Sequence, residues 1–114
     1  MTKQLAKFHA EVRDALPLLD RAISGGIDHF IASTFDQAVV DWRVYRIAEW
    51  SIRLGVGERD MVPAERWHAL RSLRHIMAHR FETLDPRLMF VFAAMNVPKL
   101  EFAVRRALEK GVTP

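Results

Sequence analysis

Apolar residues recur along this chain at intervals of three and four, the spacing that lines one face of an α-helix, and no stretch keeps the period of two that a half-buried strand needs. Five helical segments are predicted. In the first, Leu5, Phe8, Val12, Ala15, Leu16, Leu19 and Ile23 form one stripe, with Pro17 expected to bend it. Ser24-Gly25-Gly26 closes that segment, and a short connector runs through Ile31. The second segment opens near Thr34, where Thr34-Phe-Asp-Gln37 has the form of a capping box, and runs to about Leu54 before Gly55-Val-Gly57. It is apolar on two faces: Phe35, Ala38, Trp42, Tyr45, Ala48 and Ile52 form one stripe, and Val40, Val44, Ile47 and Leu54 another. Such a helix is either central in a bundle or covered by a second subunit.

The third segment follows Val62-Pro63 and extends to about Phe81, with Trp67, Leu70, Leu73, Met77 and Phe81 facing inward. Asp85-Pro86 pairs an N-cap with a proline at the first helical position and starts the fourth, which is expected to end near Asn96. The fifth begins around Pro98, carries Leu100, Ala103, Val104, Ala107 and Leu108 inward, and ends at Gly111. Short connections imply antiparallel neighbours. The expected fold is therefore all-α, an up-and-down antiparallel bundle of four to five helices forming one domain over residues 1–114.

Composition narrows the function classes. A chain of 114 residues that is 50% hydrophobic can bury a core without metal or disulfide staples. The absence of cysteine excludes disulfides, zinc–thiolate sites and a cysteine nucleophile. The longest apolar run, from Leu88 to Met95, falls far short of the roughly 20 residues of a membrane span. No unbroken apolar run follows the first lysines, so no signal peptide is predicted. A soluble, cytoplasmic protein with no membrane partner is the expectation. Charge is unevenly placed within the net +3: residues 1–63 carry eight Lys/Arg against nine Asp/Glu, and residues 64–114 carry nine against five. A basic half suits an anionic partner such as RNA, a nucleotide or an acidic protein, although on charge alone a mildly basic small protein that binds no nucleic acid is the commoner case.

The third segment concentrates the candidate chemistry. Between Ala64 and Phe81 it holds Arg66, Arg71, Arg74 and Arg80, the histidines His68, His75 and His79, and a single acid, Glu65. At about 100° per residue, His68, Arg71, His75 and His79 share one polar stripe. Arg74 instead shares a line with Trp67, Leu70, Met77 and Phe81, so its stem is expected either to cross apolar surroundings toward a defined partner or simply to snorkel to solvent. Arg71 and Arg80 are candidate substrate-binding cations.

Other features have plainer explanations. His75 and His79 have the i, i+4 spacing of helical zinc ligands, but Ile76 stands where the general-base glutamate belongs, and no metal site is predicted even though Glu82 could add an oxygen. No cofactor is implied. Gly55-Val-Gly57 lacks the third glycine and the lysine of a phosphate loop and is expected to be a helix-ending turn. His9 and His29 have no partner at a useful spacing and read as surface or core histidines. Arg43, Arg46, Glu49 and Arg53 read as intrahelical ion pairs, with the alternative that Glu49 orients Arg74 or His79.

Arg74-His-Ile-Met-Ala-His79 has the form Arg-x4-His, near the end of the third helix of a five-helix chain, with Phe81 two positions beyond and Asp85-Pro86 opening the next helix. In this setting the sequence resembles the HepT-like branch of the HEPN superfamily of ribonuclease toxins. Asp36 through Glu49, with its Ile-x-Glu segment, resembles that family's second helix. Trp67 through Phe81 resembles the motif helix, and Asn96-Val-Pro-Lys-Leu100 its closing turn. The resemblance implies a metal-independent, dimeric ribonuclease whose motif residues from both subunits line an interface cleft. By it, His79 is the general acid/base and Arg74 binds or neutralises the scissile phosphate, with His75 and Glu49 in support. It also implies a cognate nucleotidyltransferase-type antitoxin. Imidazole titrates near neutral pH and guanidinium stays charged, which suits those roles. Residues five apart on a straight helix project about 140° from each other, so a dimeric cleft would reconcile Arg74 with His79 around one phosphate.

Two departures matter. His75 follows the motif arginine where the family often has Asn. Phe81 stands where HepT toxins carry the tyrosine to which the antitoxin adds AMP, and without a hydroxyl it cannot accept that group. Two function classes therefore stand: an RNA-cleaving toxin of a toxin–antitoxin pair, or a non-catalytic HEPN subunit that docks a nucleotidyltransferase or binds a nucleotide.

Overall fold

Leu5, Phe8, Val12, Ala15, Leu19 and Ala22 alternate intervals of three and four along α1 (Lys3–Ile23), and all six are buried. A stripe that regular needs covering on a broad front, and two helices supply it: α3 (Thr34–Ser51), through Val40, Val44, Ile47 and Ala48, and α7 (Val97–Val112), through Leu100, Val104 and Ala107. The fourth long helix, α5 (Ala64–Arg80), contributes Trp67, Leu70, Leu73 and Met77. Short helices α2 (Ile27–Ala32), α4 (Val56–Arg59) and α6 (Pro86–Val91) lie between the long ones. The structure is a computed structural model that describes residues 2–80 and 84–112, and among these there is no strand. The fold is an all-α helical bundle.

Side-chain ties across the bundle give the direction of its helices. Near the start of α1, a Cβ on Gly111 would meet Thr2, while farther along α1 His9 pairs with Glu101, so α7 runs antiparallel to α1. Arg46 of α3 pairs with Glu11, and Glu58 just beyond α3 accepts from the Leu5 amide at 2.6 Å, so α3 also opposes α1. That last contact places a carboxylate on the N-terminus of α1, where the orphan N–H groups and the helix dipole favour it. The Phe8 ring packs on Trp67 at 5.5 Å between centroids, and the Trp67 indole donates to the Arg59 carbonyl at 2.7 Å, fixing α5 to both α1 and α4.

The expected boundaries shift for identifiable reasons. The connector after Gly26 is helical: Gly26 adopts φ 89°, a conformation open to glycine, and α2 starts directly behind it. The cap of α3 is Ser33, whose hydroxyl accepts from the Asp36 amide at 3.2 Å. In place of the capping box expected at Thr34, Gln37 turns outward and donates to the Phe30 and Ile31 carbonyls, tying α3 to α2. α1 continues through Pro17. Asp85 caps α6 as expected, accepting from the Arg87 amide at 3.0 Å.

The largest difference is at Asn96-Val-Pro98, where a turn between two helices is expected. The chain stays helical there. Phe92–Asn96 forms a π-helical turn, with the Val97 amide donating to the Phe92 carbonyl five residues back, and α7 follows without a gap. Proline inside a regular helix clashes with the carbonyl four residues before it, and the wider π turn relieves that clash while keeping the helix whole.

Candidate functional site

Glu49 near the end of α3 and Arg74 on α5 meet at 3.3 Å, each side chain between a third and a half exposed. Arg74 is therefore neither sunk in the core nor free at the surface: its stem passes the buried Trp67–Leu70–Leu73–Met77 line and its guanidinium reaches a fixed carboxylate. Beside the pair, a cleft of about 230 Å³ is walled by Ser51, Ile52, Arg59, Trp67, Arg71 and Arg74. Arg59, Arg71 and Arg74 all line this small space. Arg59 is held in it by donating to the Ser51 and Leu54 carbonyls at 3.1 and 3.4 Å, which satisfies the C-terminal end of α3.

The polar stripe of α5 is at the surface: His68, Arg71 and His75 are all exposed. His68 and Arg71 border a second hollow, of about 670 Å³, between α4, α5 and Lys110 of α7. His79 and Arg80 close α5 on the backbone, but their side chains lie outside what the structure describes, as do Phe81 and Glu82 altogether. Arg74, Glu49 and Arg71 are thus brought together at one cleft, His75 lies on the adjoining face, and the placement of the His79 and Arg80 side chains stays with the sequence. Among the described residues, no three His, Asp or Glu side chains gather into a metal-binding group.

The basic cluster of α3 does not form the intrahelical pairs expected of it. Arg46 reaches back to Glu11 of α1, Glu49 crosses to α5, and Arg53 lies over the Trp50 ring at 4.4 Å. Arg46 holds the Glu11 carboxyl below the ordinary carboxylate range. Arg43 Nε is buried with no hydrogen-bond partner among the described residues. His9, for which the sequence shows no partner at a useful spacing, bonds Glu101 at 2.8 Å, with Arg105 on the same carboxylate at 3.1 Å. Burial opposes ionisation of Glu101, but these two donors hold its pKa below the ordinary value. No local spacing announces a contact across 92 residues, so only the tertiary fold reveals it.

On α3 the two apolar stripes part company. Val40, Val44 and Ile47 are buried, whereas Phe35 is 76% exposed, Trp42 55%, Tyr45 37% and Ile52 51%. Trp42 and Tyr45 stack at 6.0 Å with an interplanar angle of 24°. These four residues lie seven, three and seven positions apart and so fall on one side of the helix, while Ala48, which the sequence puts in the same stripe, is buried. Asp41 adjoins this face, and burial pushes its carboxyl up to about 6. The folded protein therefore holds a proton on Asp41 that the unfolded chain, at its ordinary value near 3.8, has released, and stability is expected to fall as pH rises from about 4 through 6. Asp41→Asn should remove that slope and raise the urea midpoint at pH 7.5 more than at pH 4.5. An equal shift at both pH values would refute the assignment.

No family model, no curated protein and no solved structure matches this chain. Function is accordingly argued from the site. None of the helices among the described residues is long and apolar enough to cross a membrane.

Proposed function

We propose that this protein is a metal-independent endoribonuclease acting as a homodimer, with Arg74 and His79 as its core chemistry and a nucleotidyltransferase-type antitoxin as its partner. The observation that carries the reading is Arg74 itself: a half-exposed guanidinium, held by Glu49, at the lip of a cleft it shares with Arg59 and Arg71. Positive charge fixed in advance at one point is what a phosphate gaining charge in a transition state requires, and a guanidinium offers it in a planar fork that matches phosphate oxygens. Imidazole at His79, five residues along α5, supplies the group that can move a proton at neutral pH.

In the reaction, His79 takes the proton of a ribose 2′-hydroxyl, and the oxygen attacks the adjacent phosphorus. The bond to the 5′-oxygen breaks, leaving a 2′,3′-cyclic phosphate and a 5′-hydroxyl that receives a proton from an imidazolium. Arg74 neutralises the charge that builds on the non-bridging oxygens, and Arg71 and Arg80 hold neighbouring phosphates. The exposed aromatic face of α3 supports the dimer, and a dimer supports the joining of Arg74 and His79 from two subunits around one phosphate. Because Phe81 offers no hydroxyl, the antitoxin neutralises the protein by binding or at another residue.

The test is RNA cleavage by purified protein in excess EDTA beside folded Arg74→Ala and His79→Ala variants. Cleavage lost in both supports the ribonuclease. Wild type and variants equally inert would transfer the case to a non-catalytic subunit that docks a nucleotidyltransferase or binds a nucleotide.

A further inference from the structure

Three hollows on one side of the molecule share walls. The Arg59–Arg71–Arg74 cleft and the hollow above it have Arg59, Trp67 and Arg71 in common. That hollow in turn shares Met61, Pro63 and Lys110 with a groove of about 620 Å³ between the start of α5 and the outer face of α7. The groove has an apolar floor that includes Met61, Phe102, Ala103 and Ala107, and a rim of Arg66, Lys99, Arg106 and Lys110. Along the whole course, from Arg74 to Lys99, the described lining residues include seven Lys/Arg in all and His68 but one acid, Asp60. Glu65 and Glu109 come within 3.7 and 4.0 Å of Arg66 and Arg106, yet neither lines the groove.

We infer that this course is a binding track for single-stranded RNA, leading from the Arg74 cleft to a base-stacking platform at Phe102; the inference builds on the ribonuclease reading. Arg74 and Arg66 lie eight residues apart on α5, about 12 Å of helix rise, so the track reaches well beyond a single phosphate. Its cations are spread along its length rather than gathered at one end, which fits a ligand that repeats its charge with every unit. Phe102 is 55% exposed, with the Arg105 guanidinium 5.4 Å from its ring centroid, and an exposed ring inside a positive groove is the arrangement that holds unpaired bases. An acidic amphipathic peptide would use the apolar floor and the cationic rim of the groove but would end there, leaving the continuation past Arg59 and Arg71 unused. A continuous strand uses both.

The experiment is fluorescence anisotropy with a labelled 12-nucleotide 2′-O-methyl oligouridine, which lacks the hydroxyl needed for cleavage, titrated with the full chain in EDTA at several salt concentrations. Lys99→Ala with Lys110→Ala is expected to reduce the slope of log affinity against log salt by about 1.4, since each lost single-strand phosphate contact contributes about 0.7. Phe102→Ala is expected to weaken binding about tenfold with little change in that slope. All three residues are on the rim or exposed, and unchanged circular dichroism melts would show the variants folded. Unaltered affinity and slope in both variants would overturn the track. So would displacement by polyglutamate at equal charge concentration with Phe102→Ala silent, because the surface would then be reading charge alone. If wild type fails to cleave RNA but its binding still depends on Lys99, Lys110 and Phe102, the ribonuclease falls and the track stands. Cleavage that depends on Arg74, with binding indifferent to the groove variants, gives the reverse.

Discussion

His79→Ala is expected to slow RNA cleavage in excess EDTA by about 10²–10⁴-fold, the range lost when a positioned general acid or base is removed. Arg74→Ala should cost about 10²–10³-fold, as for the loss of one preorganised donor to a developing oxyanion. The two should differ in kind as well as size. In the proposed reaction His79 moves a proton, so no other residue at that position should restore the neutral-pH limb of the rate profile. Arg74 there supplies charge, so Arg74→Lys should recover part of the rate while losing the two-pronged grip on phosphate. Glu49→Gln bears on the same atoms indirectly. The Glu49–Arg74 pair is partly exposed, and pairs of that kind contribute about 0.2–1 kcal/mol, so its loss should slow cleavage by no more than about fivefold. If folded Arg74→Ala protein cleaves as fast as wild type, the cleft is not the active site, whatever the activity of His79→Ala.

Much of the bundle was legible in the sequence because the apolar stripes of α1, α5 and α7 answer one question only: which side of each helix leaves water. Leu5, Phe8, Val12, Ala15 and Leu19 answer it without ambiguity, and they are buried. α3 posed a harder problem, since it carries two stripes and the sequence cannot rank them. The β-branched stripe of Val40, Val44 and Ile47 went inward and most of the aromatic one outward, Ala48 of the latter being buried. Local signals failed where a neighbouring residue offered the backbone a better partner. Ser33 displaced Thr34 as the cap of α3 because Gln37 was engaged with the end of α2. Pro98 announced a break, and a π turn absorbed it.

The candidate site was legible only in part. Arg74 stood out because an arginine in an apolar line needs a partner, and Glu49 was already a candidate for that place. Arg59 was invisible: it lies in a four-residue helix with no periodicity, and it enters the cleft because the carbonyls of Ser51 and Leu54 need donors. Lys99, Lys110 and Phe102 were likewise ordinary surface residues of α7 until the antiparallel packing set them beside the start of α5. Spacing along one helix reports which residues share a face. It carries nothing about which faces of distant helices meet.

The exposed stripe of α3 gives the second large expectation. Trp42→Glu combined with Tyr45→Glu should turn the proposed dimer into a monomer and abolish cleavage at low protein concentration. Phe35, Trp42, Tyr45 and Ile52 lie seven, three and seven residues apart, on one side of the helix, and each keeps more than a third of its surface exposed in the single chain. A stacked tryptophan and tyrosine bring large contact area with little rotamer entropy to lose, which is why such rings act as anchors at interfaces. Anchors of that kind cost about 2 kcal/mol or more when truncated, so two carboxylates in their place should weaken the dimer by roughly 10³-fold. Because Trp42 is 55% and Tyr45 37% exposed, each also packs in part on its own subunit. The monomer should therefore lose some stability, within the roughly 0.5–3 kcal/mol of an ordinary substitution, and circular dichroism should show it folded at the assay temperature. Sedimentation equilibrium reads the association and the EDTA cleavage assay reads the consequence. If catalysis needs Arg74 and His79 from opposite subunits, activity of the double variant should return as its concentration is raised toward the new dissociation constant. Wild type that sediments as a monomer at tens of micromolar while cleaving RNA would show instead that one subunit completes the site, and α3 would need another partner.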